Sequence, residues 1–329
     1  MSPDQIKKQS IAAYSQWCVQ WRDHATQHSK YDMKPMRNFA NVGIGKAVLL
    51  VANGFSFEKE IETIKKYAHN VDIMCCDKTL GHLLDHGIAP TYVVVCDANV
   101  NYEKYMKPWE NKLGSTILFQ NVCANPKWAA NGNWKDKYFF VNKDIMSYEK
   151  EFCELSGCQN ILIAGTNVSN MMLVMLTQCD DGQRNNFFGY DKLILIGYDY
   201  SWAPEGKYYA FDESGGGKYN YMKHVQGLTT HGDYIYTSNN LAASASWLAL
   251  YTRTFNLPVV QCSRPTIADL GQEPQPLEKH IKYRFHPEDR VAVIKALDRK
   301  RMIETELNSI NDKIKAIGKN HYYSYLASI

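Results

Sequence analysis

Short apolar runs alternate with amphipathic stretches along this chain, and this alternation constrains the fold more than any other feature. The runs are rich in β-branched and aromatic residues, which favour strands. Several are apolar at every position, which is typical of parallel strands covered by helices on both faces. Strands are predicted at residues 47–52, 71–76, 92–97, 116–120, 138–141, 161–164, 193–197 and 258–262.

The stretches between these runs have the apolar spacing of amphipathic helices. Helices are predicted at residues 58–68, 80–86, 168–179 and 242–255. The alternation predicts an α/β fold, and we expect a Rossmann-like, doubly wound and mostly parallel sheet. We assign this sheet to one domain at residues 45–265, with helical extensions at residues 1–44 and 266–329.

The two extensions have helical spacings of their own. In the first, Ile6, Tyr14, Trp17 and Trp21 predict a helix packed on the core. In the second, a heptad pattern indicates either a helix docked on its own domain or a helix through which copies of the chain associate. The heptad positions are Val293, Ala296, Lys300, Ile303, Leu307, Ile310, Ile314 and Ile317.

Composition argues against several classes of protein. The 37 basic and 34 acidic residues give a net charge of +3 without a long basic run, so we expect no nucleic-acid partner. The longest apolar runs are far shorter than the roughly 20 residues of a membrane helix, so no membrane span is expected. The first residues lack a secretory signal pattern, which favours the cytoplasm. Nine cysteines, several within apolar runs, argue against a disulfide framework.

Candidate site residues follow the predicted strands, because open α/β sheets bind ligands at the carboxyl ends of their strands. Asn53, Gly54, Phe55 and Ser56 follow the first strand. A turn of this kind exposes backbone N–H groups at the positive end of a helix, and it suits a nucleotide phosphate. The alternative is a tight turn in which Ser56 caps the helix.

Polar residues also follow three later strands. Asp77 and Asp97 are suited to hold ribose hydroxyls or a divalent cation, although each could instead cap the next helix. Mg²⁺ at Asp97 is expected only if the reaction depends on a metal, and no tightly bound cofactor is expected. Thr166 and Asn167 belong to a second polar turn that leads into a helix.

Tyrosines are concentrated after the strand at residues 193–197. Gly197, Asp199 and Tyr200 are followed by Tyr209, and tyrosine hydroxyls can donate hydrogen bonds to a leaving phosphate. We expect Asp199 to orient the tyrosines. The alternative is that these rings belong to the core.

The segment at residues 212–232 contains three consecutive glycines, which suggests either a lid over the site or a surface loop without function. His231 in this segment is either a general base or a solvated loop histidine. The chain contains neither a P-loop nor a G-x-G-x-x-G fingerprint after a strand, which disfavours NAD. His82 and His86 have a metal-compatible spacing but are interpreted as structural.

The order of these motifs resembles the MptE-like family, which includes archaeal 6-hydroxymethylpterin diphosphokinases and the bacterial Maf motility accessory factors of flagellin glycosylation. The family's usual turn G-x-G-P-S-L corresponds to A-N-G-F-S-F at residues 52–57. Its G-I-x-P-D corresponds to G-I-A-P-T at residues 87–91, and the pieces G-T-N-V and L-I-G-Y-D follow at residues 165–168 and 195–199.

The chain is also similar to bacterial lipooligosaccharide sialyltransferases, which share this fold and use CMP-activated sugars. The similarity implies that Tyr209 binds the leaving phosphate, with Tyr200 nearby. Their catalytic histidine lies in a G-H-S-K-N segment that corresponds to residues 235–239, where Tyr236 replaces it and leaves His231 as a substitute base. The nucleotide-phosphate turn matches Asn53, Gly54 and Ser56, whereas Asp77 and Asp97 stand where those enzymes carry asparagines.

These resemblances imply a nucleotide-dependent transferase. The first hypothesis is a glycosyltransferase that uses a nucleotide-activated sugar, and the alternative is an ATP-dependent diphosphokinase acting on 6-hydroxymethylpterin. A third hypothesis is a non-catalytic nucleotide-binding or assembly protein. The expected partners are a nucleotide-sugar or ATP as donor, a glycan, protein or pterin as acceptor, and a second copy of the chain through the C-terminal helix.

Overall fold

The computed structural model describes residues 3–143, 148–178, 186–203, 209–211, 225–229 and 232–284, together with Ile303 and Leu307. Contacts divide the chain into two units, residues 1–284 and residues 285–329. The predicted heptad helix lies outside the described residues, except for Ile303 and Leu307, which are both helical. Everything below concerns the first unit.

Eight parallel strands of this unit form one sheet, with the order β10-β7-β1-β2-β3-β4-β5-β6. A separate antiparallel hairpin joins β8 to β9. The described strands are β1 (Ala47–Val51), β2 (Asp72–Cys76), β3 (Tyr92–Val95), β4 (Ile117–Asn121), β5 (Asp136–Lys143), β6 (Ile161–Ile163), β7 (Lys192–Ile196), β8 (Val225–Leu228), β9 (Tyr234–Thr237) and β10 (Val259–Gln261). All the predicted strands are in the large sheet, so the predicted α/β fold is confirmed.

Helices connect these strands and cover the sheet. The described α-helices are α1 (Pro3–His28), α2 (Phe55–Tyr67), α3 (Asp77–Asp85), α4 (Tyr102–Tyr105), α5 (Lys127–Asn131), α6 (Glu149–Ser156), α7 (Val168–Thr177), α8 (Asn239–Thr254) and α9 (Glu278–Ile281). The four helices predicted between strands correspond to α2, α3, α7 and α8. None of the described helices combines the length and apolarity needed to cross a bilayer.

Burial on both faces explains why the strands are apolar at every position. Every residue of β1 is buried, because helices pack on each side of the sheet. Helix α7 is buried from Asn170 to its last residue, Thr177, and it contacts β1, β2 and β3. A helix that is apolar all round belongs inside a core.

The strand order reverses at β1, and this reversal positions the site. From β1 the chain adds β2 to β6 on one side, and β7 then pairs with the other edge of β1. Crossovers on opposite sides of a sheet leave a crevice at the carboxyl ends of the strands, where such folds bind ligands. In this crevice Gly197 has φ +76°, and a Cβ there would overlap the carbonyl oxygen of Ala52. The two strand ends therefore approach more closely than side chains would allow.

Helix α1 packs at the carboxyl-end side of the same sheet, a position that its aromatic spacing did not predict. The Tyr14 hydroxyl donates a 2.7 Å hydrogen bond to Glu151 of α6, and the Arg22 guanidinium pairs with the same carboxylate. His24 Nδ1 lies 2.9 Å from the carbonyl oxygen of Cys123, just after β4. These contacts fix α1 beside the ends of β4 and β5.

Candidate active site

A cavity of about 390 Å³ opens at the point where the strand order reverses. It extends across the carboxyl ends of β1, β2, β3, β5, β6 and β7. Its lining residues are Asn53, Gly54, Cys76, Asp77, Lys78, Cys96, Asp97, Val100, Asn142, Gly165, Asn167, Val168, Ser169, Met171, Gly197, Tyr198, Tyr200, Ser201, Tyr209 and Leu241. Eight residues predicted from the sequence are among them: Asn53, Gly54, Asp77, Asp97, Asn167, Gly197, Tyr200 and Tyr209.

Beneath the cavity, a buried hydrogen-bond network joins α2 to the end of β7. The Asp199 carboxylate accepts a 2.8 Å hydrogen bond from the Ser56 backbone N–H and a second one from the Ser56 hydroxyl. The Ser56 hydroxyl oxygen in turn accepts a 3.1 Å bond from the Gly197 N–H. Asp199 therefore caps α2 from the loop after β7, which corrects the expectation that it orients the tyrosines.

This cap also corrects the expectation for the first turn. Phe55 and Ser56 were predicted to hold a nucleotide phosphate, but both are buried and neither lines the cavity. The Ser56 N–H, which a phosphate would have needed, is already bonded to Asp199. A Cβ on Gly54 would overlap the Asp199 carboxylate and the Gly197 carbonyl, so a glycine is required here. Only Asn53 and Gly54 of this turn face the cavity.

Lys78 supplies the cavity with a positive charge that the sequence analysis missed. Its Nζ lies 3.1 Å from the Tyr209 hydroxyl and 4.5 Å from the centre of the same ring. Burial disfavours the ammonium, but Tyr209 and Asp77 outweigh this effect and hold the pKa of Lys78 above its ordinary value. Lys78 is therefore cationic at neutral pH, and its hydrogen bond to the Tyr209 hydroxyl holds the ammonium in place.

The two predicted carboxylates both line the cavity. Asp77 is buried, and burial raises its pKa to about 6 against the opposing effect of the Lys78 charge, with Asp97 raising it further. Asp97 accepts a 2.8 Å hydrogen bond from the Asn99 N–H. Two carboxylates with substrate phosphate oxygens and water fit the preferences of Mg²⁺. Within the described ranges no group of three or more His, Cys, Asp or Glu side chains forms a metal site.

Tyr209 belongs to a short segment that docks against α2. The Ala210 N–H donates a 3.1 Å bond to the carbonyl oxygen of Asn53, and the Phe211 N–H donates a 2.8 Å bond to Glu58. The Phe211 ring stacks on His82 with centroids 4.8 Å apart. This packing accounts for His82 in structural terms, and it fixes Tyr209 at the edge of the cavity.

Tyr200 is held from the opposite side of the cavity. It has φ +53°, a left-handed conformation that is costly for a bulky residue. Its hydroxyl donates a 2.5 Å hydrogen bond to Asn170 Oδ1, and Asn170 Nδ2 donates a 2.7 Å bond to the Thr166 hydroxyl. Thr166 therefore supports Tyr200 through Asn170 rather than lining the cavity. Asn167 lines the cavity and also caps α7 by accepting a bond from the Asn170 N–H.

Three side-chain oxygens around the cavity lack hydrogen bonds. Asn53 Oδ1, Asn142 Oδ1 and Ser201 Oγ are each buried without a partner among the residues that the structure describes. Unpaired buried polar atoms cost free energy of about 1–3 kcal/mol each. All three residues line the same cavity, so part of its polar lining is not used by bonds among the described residues.

Tyr236, another predicted site residue, does not contribute to this cavity. Tyr236 lies on β9, where its carbonyl oxygen accepts a 2.8 Å bond from the Trp202 N–H, and it does not line the cavity. This placement follows from the hairpin, in which β9 pairs with β8 rather than with the sheet. His231 lies outside the described residues, as does most of the proposed lid, apart from residues 225–229 and 232.

Comparisons with known proteins agree with this architecture. A family model described as 6-hydroxymethylpterin diphosphokinase MptE-like matches residues 22–205, more than half of the chain. A solved Maf glycosyltransferase from Magnetospirillum magneticum AMB-1 has a similar fold, with a TM-score of 0.52 at 13% identity. That similarity covers 90% of this chain and 46% of the solved chain, so this chain spans about half the length of its structural neighbour. No curated protein matches significantly. By the match of its family model, this chain belongs to the MptE-like family.

Proposed function

We propose that this protein is a nucleotide-dependent transferase, and specifically a glycosyltransferase that takes a nucleotide-activated sugar as its donor. The observation that carries this proposal is the Lys78–Tyr209 pair at the rim of a cavity with unpaired polar oxygens. A charged ammonium bonded to a tyrosine hydroxyl is suited to bind a phosphate group. The name of the Maf neighbour and the place of the cavity in the sheet support the same class.

In this proposal the cavity holds the donor and stabilises its leaving group. The nucleotide phosphate lies against Lys78 and Tyr209, and Asp77 accepts a hydrogen bond from a ribose hydroxyl. When the bond between the sugar and the phosphate breaks, the electron pair moves to the phosphate oxygen. The Lys78 ammonium and the Tyr209 hydroxyl stabilise the charge that develops there.

A diphosphokinase is the second candidate. The neighbouring carboxylates Asp77 and Asp97 favour it, because diphosphoryl transfer from ATP relies on Mg²⁺ to neutralise phosphate charge. The family model that matches this chain is named for a 6-hydroxymethylpterin diphosphokinase, which points the same way. A non-catalytic nucleotide-binding protein would use the same cavity without turnover. Nucleotide release from an activated sugar separates these possibilities.

Replacing Tyr209 by phenylalanine tests the proposed reaction. The wild-type protein is incubated with CMP-, UDP- and GDP-activated sugars together with methyl glycosides of galactose, glucose and N-acetylglucosamine as acceptors, and the released nucleotide is measured. We expect release from at least one donor, and a kcat lowered about 10²-fold in Tyr209→Phe with little change in melting temperature, because one donor to the leaving group is lost.

The matched control is Tyr105→Phe. The Tyr105 ring lies 5.9 Å from Lys78 Nζ, but Tyr105 does not line the cavity. This variant should keep wild-type kcat. A Tyr209→Phe protein with wild-type turnover would contradict the proposed role of the hydroxyl, and release from none of the donors would contradict the glycosyltransferase.

A further inference from the structure

A second cavity, of about 260 Å³, adjoins the first one on the side of helix α1. Its lining residues are Trp17, Trp21, Cys96, Asp97, Ala98, Asn99, Asn121, Cys123, Asn142, Phe152 and Ala164. Cys96, Asp97 and Asn142 also line the first cavity, so the two cavities share a wall. The ends of β3 and β5 form this wall. A molecule in the second cavity would therefore lie next to a molecule in the first.

Side chains of two kinds face this second cavity. Trp17 and Trp21 of α1 and Phe152 of α6 supply aromatic surface, and the remaining polar lining consists of amides with one carboxylate, that of Asp97. A sugar ring has apolar C–H faces and hydroxyl groups around its edge. Aromatic side chains can cover such faces, and amide and carboxylate oxygens can accept bonds from the hydroxyls. The volume lies just below the roughly 300–1,000 Å³ of pockets for drug-sized ligands, which suits a single ring.

The aromatic side of the cavity is held in place by its neighbours. The Trp21 and Phe152 rings pack edge to face with centroids 6.4 Å apart. Gln20 Nε2 donates a 3.2 Å hydrogen bond to the Asn99 side chain on the opposite wall. The α1–α6 contacts at Glu151 fix the helix from the outside. This preorganisation lowers the entropic cost of binding a ring between the two sides.

We infer that the second cavity is the acceptor subsite, that it binds a sugar ring with a free hydroxyl, and that Asp97 is the base that receives the proton of this hydroxyl. The inference rests on the proposed glycosyltransferase function. It gives a role to α1, whose tryptophans the proposed donor site does not use.

The shared wall defines the reaction that this arrangement would support. The acceptor hydroxyl oxygen attacks the anomeric carbon of the donor sugar, and the bond from that carbon to the phosphate oxygen breaks. The electron pair goes to the phosphate beside Lys78, and the hydroxyl proton passes to the Asp97 carboxylate. Asn142 lies in the same wall, and its side-chain oxygen has no partner within the described part of the chain.

Binding of simple glycosides to a Trp17→Ala variant tests the subsite. The probes are methyl glycosides of galactose, glucose and N-acetylglucosamine, with CMP, UDP, GDP and ATP titrated in parallel. We expect at least one glycoside to bind the wild type and to bind Trp17→Ala at least about tenfold more weakly, because the stacking surface is lost. Nucleotide affinity should not change. The control is Val19→Ala on the same helix, because Val19 is 76% exposed and lies outside the cavity.

The parallel titrations test the acceptor subsite and the proposed donor site separately. Equal glycoside affinity in Trp17→Ala and wild type would overturn the subsite, and so would nucleotide binding without binding of any glycoside. If 6-hydroxymethylpterin binds in a way that depends on Trp17 and none of the glycosides does, the inference that the cavity holds a sugar would be contradicted. Glycoside binding that depends on Trp17 without binding of any nucleotide would keep the subsite and contradict the proposed donor.

The role of Asp97 has a test of its own. Asp97→Asn should lower the rate of transfer, measured at saturating glycoside and nucleotide-sugar, about 10²–10⁴-fold, the usual contribution of a general base. Wild-type transfer by Asp97→Asn would remove Asp97 as the base.

Discussion

Replacing Lys78 by methionine should weaken nucleotide binding by about 10- to 150-fold, because a hydrogen bond from a charged group contributes about 1.5–3 kcal/mol. Methionine keeps much of the length and apolar volume of lysine but removes the ammonium that Tyr209 directs at the cavity. The loss should be largest for nucleotides with the most phosphate charge and absent for the bare nucleoside. Calorimetric titration of nucleoside, monophosphate and diphosphate with both proteins measures this dependence.

Lys104→Met is the matched control for this variant. Lys104 is exposed, lies 4.9 Å from the Tyr105 ring and does not line the cavity. It should bind nucleotides like the wild type, apart from a small effect of net charge that salt screens. An equal loss in both lysine variants would mean that general charge, and not the cavity, attracts the nucleotide.

Replacing Asp199 by alanine should lower the free energy of unfolding by about 2–4 kcal/mol at pH 7. The change leaves the Ser56 N–H and hydroxyl buried without their acceptor and removes the cap of α2. Because the same network fixes the turn at Asn53 and Gly54, nucleotide binding should fall as well. Urea denaturation measures the stability, and a loss below about 0.5 kcal/mol, the usual size of a surface substitution, would contradict the structural role.

Asp199→Asn separates the charge from the hydrogen bonds. Burial raises the pKa of Asp199 to about 7, and the bonds from Ser56 oppose this rise only in part. Because the folded pKa lies above the unfolded value, the wild type should lose stability as the pH rises from about 4 towards 7, with a slope approaching about 1.4 kcal/mol per pH unit. The asparagine side chain does not ionise, so the stability of this variant should lack this fall with pH. Its amide oxygen still accepts a hydrogen bond from the Ser56 N–H. Parallel pH profiles in the two proteins would show that Asp199 does not titrate in this window.

Most of the fold could be predicted from the sequence because burial on both faces makes each parallel strand uniformly apolar. Helix boundaries were less predictable. Helix α2 begins at Phe55, three residues before the predicted start at residue 58, because its first turn is capped by Asp199, far away in the sequence. Helices α4, α5 and α9 are only four or five residues long, too short to show a period.

The candidate site was predictable where it depends on strand ends alone. Asn53, Asp77, Asp97 and Gly197 line the cavity because carboxyl ends of neighbouring parallel strands meet at one edge. The positions of the other site residues depend on tertiary contacts. These contacts place Lys78 beside Tyr209, and they bury Phe55 and Ser56 in the core. One local feature of the sequence could have identified Lys78 as a site residue: it lies in the first turn of a helix directly after a strand.

Other site residues left no local signal. Asn142 lies near the end of β5, beyond the predicted strand at residues 138–141, and its place in the wall between the cavities depends on the sheet order. Trp17 and Trp21 were recognisable as one face of a helix, but the sequence gives no indication that α1 borders a cavity at the strand ends. Such placements depend on contacts between residues that are distant in the chain.

Thermal-shift titration with CMP, CDP, UDP, GDP and ATP, each with and without Mg²⁺, tests whether the cavity binds a nucleotide, because a ligand that binds only the folded state raises its melting temperature by mass action. We expect a rise with at least one nucleotide, reduced in Lys78→Met and retained in Lys104→Met. A rise with CMP that needs no metal would support the sugar donor, and a rise with ATP only in the presence of Mg²⁺ would support the diphosphokinase. A melting temperature unchanged by every nucleotide would contradict the claim that this cavity is a nucleotide site.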